Sequence, residues 1–183
     1  MSDKKLIENF LAGDDSAFSG LLNKYLKAVY NFTYSMIGDR DALDDIAQIT
    51  FIKAWKNIKK FDRDKNFKTW IFTIVKNTAI DYIKKKKTIP FSRFLDEEGN
   101  SVLEEIKEDE ILPDEILNRD DLARELDKKL EQLPVFYKMI MILHYKEDLS
   151  FHEISEILGR PYNTIKSQHN RALHSLKKIL MYN

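Results

Sequence analysis

With 183 residues, 43% of them hydrophobic, the chain is long enough for one or two domains with a core in each. It contains no cysteine, which excludes a disulfide framework and thiolate ligation of zinc. Its formal net charge of zero is unevenly spread: +6 over residues 1–87, −9 over 88–121 and +3 over 122–183. Two basic blocks around an acidic one fit two polyanion-facing modules on a tether, and equally fit ordinary solvated surface. The first fifteen residues, MSDKKLIENFLAGDD, are amphipathic and broken by charge every few positions, unlike a signal peptide. No stretch approaches the roughly 18 unbroken apolar residues of a membrane span, so a soluble, cytoplasmic protein without membrane insertion is expected.

Glycine is scarce, with five in the whole chain, and helix formers dominate, so the expected fold is all-α. Residues 2–12 read as a short helix. Asp15 or Ser16 can cap a second, whose apolar positions are Phe18, Leu21, Leu22, Tyr25, Val29, Phe32 and Met36. Gly38 stops it, and Asp39 or Asp41 can cap a third helix running to about Phe61. That helix is expected to bury Leu43, Ile46, Ala47, Phe51, Ala54, Trp55 and Ile58. After the polar break DRDKNFK (62–68), a fourth helix turns Trp70, Ile71, Ile74, Val75, Thr78 and Tyr82 inward and ends in Lys84, Lys85, Lys86 and Lys87.

From Thr88 to about Asp121 the periodicity dissolves. Pro90, Gly99 and Pro113 punctuate an acidic run in which SVLEEI and DEILNRDD can still form helical turns, and a flexible or partner-ordered linker is expected. Periodicity returns with Leu122, Leu126, Leu130 and Leu133. Pro134 then opens a helix containing Phe136, Met139, Ile140, Leu143 and Tyr145. Next, Ser150 and Glu153 have the S-x-x-E spacing of a capping box. Gly159 stands at a left-handed helix stop, and Pro161 can open a last helix from about Tyr162 to Leu180. Short helix, glycine-containing turn and second helix make a helix-turn-helix.

In that motif the second helix enters the DNA major groove, its N-terminal residues touching base edges. Lys166 and Arg171 can reach phosphates or guanine edges, and Asn163, Gln168 and Asn170 can pair with bases. Thr164 and Ser167 are short donors suited to phosphate oxygens. His169 lies on the inward stripe and reads as a partly buried, hydrogen-bonded histidine. An enzyme is not expected. HEISE (152–156) lacks the second histidine of the zinc-protease motif, and neither a glycine-rich phosphate loop nor a nucleophile motif is present, so no cofactor or metal is expected.

Three stretches resemble the extracytoplasmic-function group of bacterial RNA polymerase sigma factors, of the sigma-70 family. DIAQITFIKAWKNIKKF (45–61) resembles its polymerase-binding helix, FKTWIFTIVKNTAIDYIKKKK (67–87) its promoter-melting helix, and LSFHEISEILGRPYNTIKSQHNRAL (149–173) its helix-turn-helix for the upstream promoter element. The resemblance implies two small helical domains joined by an acidic linker: region 2 over 1–87, the linker over 88–121 and region 4 over 122–183. It implies a non-enzymatic initiation factor that binds core RNA polymerase, directs it to promoters, assists DNA melting and is controlled by an anti-sigma factor. Carried over by position, Asp45, Gln48 and Lys53 would meet the polymerase, with Phe51 in the core. Asn57, Phe61 and Asn77 would line the pocket for a base flipped from the downstream element, and Lys76 and Lys84 to Lys87 would track its backbone. Asn163, Thr164, Lys166, Ser167, Asn170 and Arg171 would read the upstream element. The sequence departs from the family pattern at Ile49, where an acidic residue is usual, at Gln168, where arginine is common, and at His169, where an aliphatic is expected. The rival reading is a stand-alone helix-turn-helix regulator, which explains 122–183 and leaves 45–87 without a purpose.

Overall fold

The computed structural model describes residues 1–86 and 128–181. Within them lie no strand and seven complete α-helices, α1 (Asp3–Leu11), α2 (Asp15–Ile37), α3 (Asp41–Asn57), α4 (Phe67–Lys86), α5 (Val135–Met141), α6 (Phe151–Leu158) and α7 (Tyr162–Met181), and residues 128–130 are helical as well. The expected linker, its two possible helical turns, Leu122, Leu126 and Lys87 fall outside the described residues.

Local chemistry sets most of the boundaries. Ser2 caps α1. The cap of α2 is Asp14 rather than Asp15 or Ser16: its Oδ1 accepts from the Ser16 N–H at 3.0 Å, so the helix begins one residue earlier than the pattern suggests. Gly38 ends α2 at φ +72°, a left-handed turn that costs glycine little. Asp39 accepts from the Asp41 N–H, but the cap position of α3 is Arg40, which makes no side-chain cap bond. α3 stops at Asn57, and a 3-10 turn (Ile58–Lys60) completes the run to Phe61. The capping box is complete: Ser150 Oγ accepts from the Glu153 N–H, and Glu153 Oε2 accepts from Ser150 N–H (2.9 Å) and Oγ–H (2.7 Å). After α5 the backbone widens into a π turn over Ile142–Lys146, which swings Tyr145 out to solvent.

α2, α3 and α4 pack on one another with α1 across α2, around Leu21, Val29, Phe32, Ile46, Ile71 and Phe72. Phe32 and Phe72 meet edge to face at 5.2 Å. The second module does not stand apart. α5 packs on α2 and α6 on α4, so Met139, Ile140, Leu143, Ile154 and Ile157 continue the same apolar core. A smaller cluster, Leu130, Leu133, Met141, Ala172 and Leu176, joins α7 to α5.

One inward assignment fails and one buried residue is missed. Trp55 is 51% exposed, whereas Phe72, which the pattern omits, is fully buried; Tyr145, in the helix expected from Pro134, is 55% exposed. α3 has apolar residues around most of its circumference, and only the side carrying Ala42, Ile46, Ala47, Thr50, Ala54 and Ile58 finds partners. Leu43, Trp70, Ile74 and Tyr82 are half-buried.

Candidate partner and nucleic-acid interfaces

On α3, the i, i+3, i+7, i+10 spacing places Asp45, Gln48, Ile52 and Trp55 along one ridge, and all four are exposed. Beneath it, α2 and α3 enclose a groove of about 390 Å³ whose walls include Leu22, Leu26, Tyr30, Gln48, Ile52 and Trp55. Tyr30 closes one side by donating its hydroxyl proton to Asp44, which pushes the phenol's pKa up. An apolar trough bordered by carboxylate and amide fits the side of another helix. Lys53 does not join this ridge. Its ammonium crosses to α4, donating to Thr78 Oγ1 at 3.1 Å and pairing with Asp81 at 3.5 Å, so it ties α3 to α4.

The residues expected to hold a flipped base are not gathered around a ready cavity. Phe61 is buried, its ring 5.0 Å from Trp70 and edge-on to Phe67 at 5.5 Å. The small hollow beside it is about 50 Å³, room for a water or two and not for a base. As it stands, Phe61 is helix-end packing. Asn57 is exposed, with its amide donating to the Lys53 carbonyl at 2.8 Å, and Asn77 is exposed on α4. Lys76 is half-buried on the same helix, and burial holds its pKa below the usual lysine value. Lys84 lies exposed near the helix end.

The helix-turn-helix is formed by α6, a turn at Gly159 (φ +66°) and α7, with Pro161 preceding the first turn. Asn163, Lys166, Ser167, Asn170 and Arg171 are exposed along the N-terminal half of α7. Thr164 is half-buried and its carbonyl accepts the Ser167 hydroxyl at 3.0 Å. Gln168 is a correction: it is 6% exposed and turned inward, so it does not present an amide to a base edge. His169 is buried as expected, its ring among those of His144, Tyr145 and Phe151, and its Nε2 is 3.0 Å from the Tyr145 hydroxyl. Burial, with a smaller contribution from His144 and against a hydrogen bond with Asn170, holds its pKa below the ordinary histidine value.

What sequence reasoning missed is the apolar part of the α3 ridge. The available signal was an excess: Ile49, Ile52 and Trp55 are more apolar residues than one buried stripe on α3 can use.

Comparison with known proteins gives the chain's family. The sigma-70 region 2 family matches residues 21–89 and the sigma-70 region 4 family residues 123–176. The ECF RNA polymerase sigma factor SigW of Bacillus subtilis (strain 168) is 34% identical over 98% of this chain and 97% of its own length. The RNA polymerase sigma-H factor of Pseudomonas aeruginosa is 28% identical over 97% and 93%. Among solved structures, CnrH in complex with the cytosolic domain of CnrY covers 99% of this chain and 98% of its own, with a TM-score of 0.68 at 22% identity. The sigma factor RpoE of Bartonella quintana, in complex with the anti-sigma factor NepR, covers 89% and 96%, with a TM-score of 0.64 at 27% identity.

Proposed function

Because the chain belongs to the extracytoplasmic-function group of the sigma-70 family, we propose that its two helical modules divide promoter recognition between them, with α3 as the polymerase dock. It is a transcription initiation factor and not an enzyme. Residues 1–87 form the polymerase-binding and downstream-element module, 88–121 the acidic tether and 122–183 the upstream-element module. The observation that carries the dock is the exposed ridge of Asp45, Gln48, Ile52 and Trp55 over an apolar groove, a surface that a monomer has no reason to keep open. A helix of core RNA polymerase laid along it would bury the Trp55 ring and pair with the amide and carboxylate on either side.

Upstream recognition falls to α7. Lys166 and Arg171 neutralise phosphate or hold guanine edges, Asn163 and Asn170 face bases, and Ser167 and Thr164 fix the helix on the backbone. Downstream, Lys76, Asn77 and Lys84 on α4, with Asn57 at the end of α3, line the face where unpaired bases are captured. Unstacking a base costs a few kcal/mol and stacking returns about 1–3 kcal/mol per base, so several captured bases with phosphate contacts balance an opened bubble. Phe61 takes part only if its ring leaves the Phe67–Trp70 cluster. An anti-sigma factor is the expected regulator, since RpoE of Bartonella quintana is seen with one. No helix among the described residues is long and apolar enough to cross a membrane, and the work lies with polymerase in the cytoplasm.

Promoter affinity of the reconstituted holoenzyme tests the assignment on α7. Lys166→Ala is expected to weaken binding about equally on all sequences and to reduce the salt slope by about one. Asn170→Ala is expected to cost about 1–3 kcal/mol on the cognate upstream element and to relax selectivity at one base pair. Equal losses on cognate and scrambled elements for Asn170→Ala would move it from base reading to backbone contact.

A further inference from the structure

The inward stripe of α7 is Ile165, Gln168, His169, Ala172 and Leu176, and only His169 among them can change charge between about pH 5 and 8. Its ring is enclosed by three others from two elements. The π turn supplies Tyr145, near-parallel at 5.6 Å, and His144, edge-on at 5.3 Å, while α6 supplies Phe151 at 4.8 Å. His169 Nε2 lies 3.0 Å from the Tyr145 hydroxyl. His144 Nδ1 lies 2.9 Å from the Leu149 carbonyl, which can only accept, so that nitrogen carries a proton. His144 also stacks on Phe151 at 4.5 Å. The π turn, α6 and α7 therefore meet at a junction of rings with two histidines in it.

This junction suits a neutral His169. The neutral ring takes the Tyr145 hydroxyl proton at Nε2 and keeps its own proton on Nδ1. A second proton would fall on Nε2, turn that hydroxyl away and bury a cation beside His144. The titratable groups facing the ring are His144 and Tyr145, both from the π turn. On α6 the facing side chain is Phe151, and His152 turns instead to Tyr162, at 4.8 Å. On α7 itself Lys166 and Arg171 are exposed, and Asn170 offers a hydrogen bond that favours the charged ring. Burial first, then His144, opposes the charge, and no carboxylate among the described residues offsets them.

We propose that His169 is a positioning residue for upstream-element recognition: neutral, it locks α7 onto the π turn and α6, and its protonation loosens that lock, so that promoter binding falls in acid. The effect on DNA rests on reading α7 as the upstream-element helix. An aliphatic residue would fill the same place on the stripe with no charge to gain. The direction follows from linkage. The folded ring titrates below the ordinary value of 6.5, so the loosened state binds the proton more tightly. The stability contributed by the neutral ring is complete above that ordinary value and is lost as the pH falls from it through the folded value.

His169→Leu and His169→Gln both remove the titration, and the glutamine amide keeps a partner for the Tyr145 hydroxyl. Polymerase holoenzyme reconstituted with each chain is titrated at pH 7.5 and 5.5 with a fluorescent duplex carrying the cognate upstream element. The parent is expected to lose about tenfold in affinity, against a ceiling of tenfold per pH unit for one linked proton, and the variants less than about twofold. A parent that does not change overturns the proposal, and so do parent and variants that fall alike. Urea melts of the free full-length chain at the same two pH values are expected to show a larger loss of stability for the parent than for either variant. If no chain binds the element at pH 7.5, the reading of α7 fails by itself, and the melts then judge the lock: equal losses overturn it. Helicity is checked by circular dichroism, and if one variant loses it, the other is read by the same criteria.

Discussion

Trp55→Ala is expected to lower the affinity for core RNA polymerase by about thirtyfold or more, the loss typical of a tryptophan at the centre of an interface. The same change is expected to leave folding stability within about 0.5 kcal/mol, because half of the side chain already faces water and α3 is held by other residues. The argument is one of surplus. α3 anchors itself with Ile46, Ala47, Phe51, Ala54 and Ile58, all buried, yet it also carries Ile49, Ile52 and Trp55 in the open. A large aromatic beside an apolar groove costs solubility, and the cost is offset only when a partner covers it. Titration of labelled chain with purified core polymerase reads the affinity, and a urea melt reads the stability. If Trp55→Ala bound polymerase like the parent, the dock would have to move to the Asp45 end of the ridge or off α3 altogether.

The opposite pattern is expected at Phe72. This ring is fully buried, edge-on to Phe32, on the helix that meets α2, α3 and α6. Phe72→Ala removes the whole aromatic ring from a site with no solvent access and is expected to cost about 3–5 kcal/mol, a large part of the stability of a chain this size. Because α6 and α5 share the core, the loss is expected in one cooperative transition that takes the helix-turn-helix down with the first module. Two separated transitions in the urea melt, with only the first shifted, would mean that the modules fold independently and that their shared core contributes little.

These two residues also show what a sequence makes legible. The stops and starts that rest on local chemistry were readable: glycine at Gly38 and Gly159, the Ser150–Glu153 box and the proline before α7 each act within a few residues. The seven helices and the turn-separated pair that reads DNA followed from them. Side-chain direction was less legible wherever a helix is apolar on more than one face. Periodicity turns Trp55 on α3 inward because it reports which residues are apolar, not which face finds a partner. Gln168 was read as a base contact from its polarity, but its position on the inward side of α7 took precedence. The contacts of Asn66, Lys68 and Thr69 with Glu147 and Glu153 span 79 to 87 residues, and no local pattern announces them.

The family resemblance carried the site assignments further than the residue chemistry could, and the structure sorts them. Asp45 and Gln48 share an exposed ridge, while Lys53 braces α3 on α4. Asn163, Lys166, Ser167, Asn170 and Arg171 share an exposed face, with Thr164 at its edge. Phe61 is packed among rings, so base capture there requires a rearrangement that polymerase or DNA would have to drive.

The central claim is that this chain works by docking on core RNA polymerase through α3. Co-purification with bacterial core polymerase, comparing the parent with an Asp45→Ala/Gln48→Ala double variant, tests it most directly. A stable complex formed by the parent and lost in the double variant is the predicted result. A parent chain that binds duplex DNA by itself, as a dimer on paired half-sites, and never associates with core polymerase would contradict the account and leave a stand-alone regulator in its place.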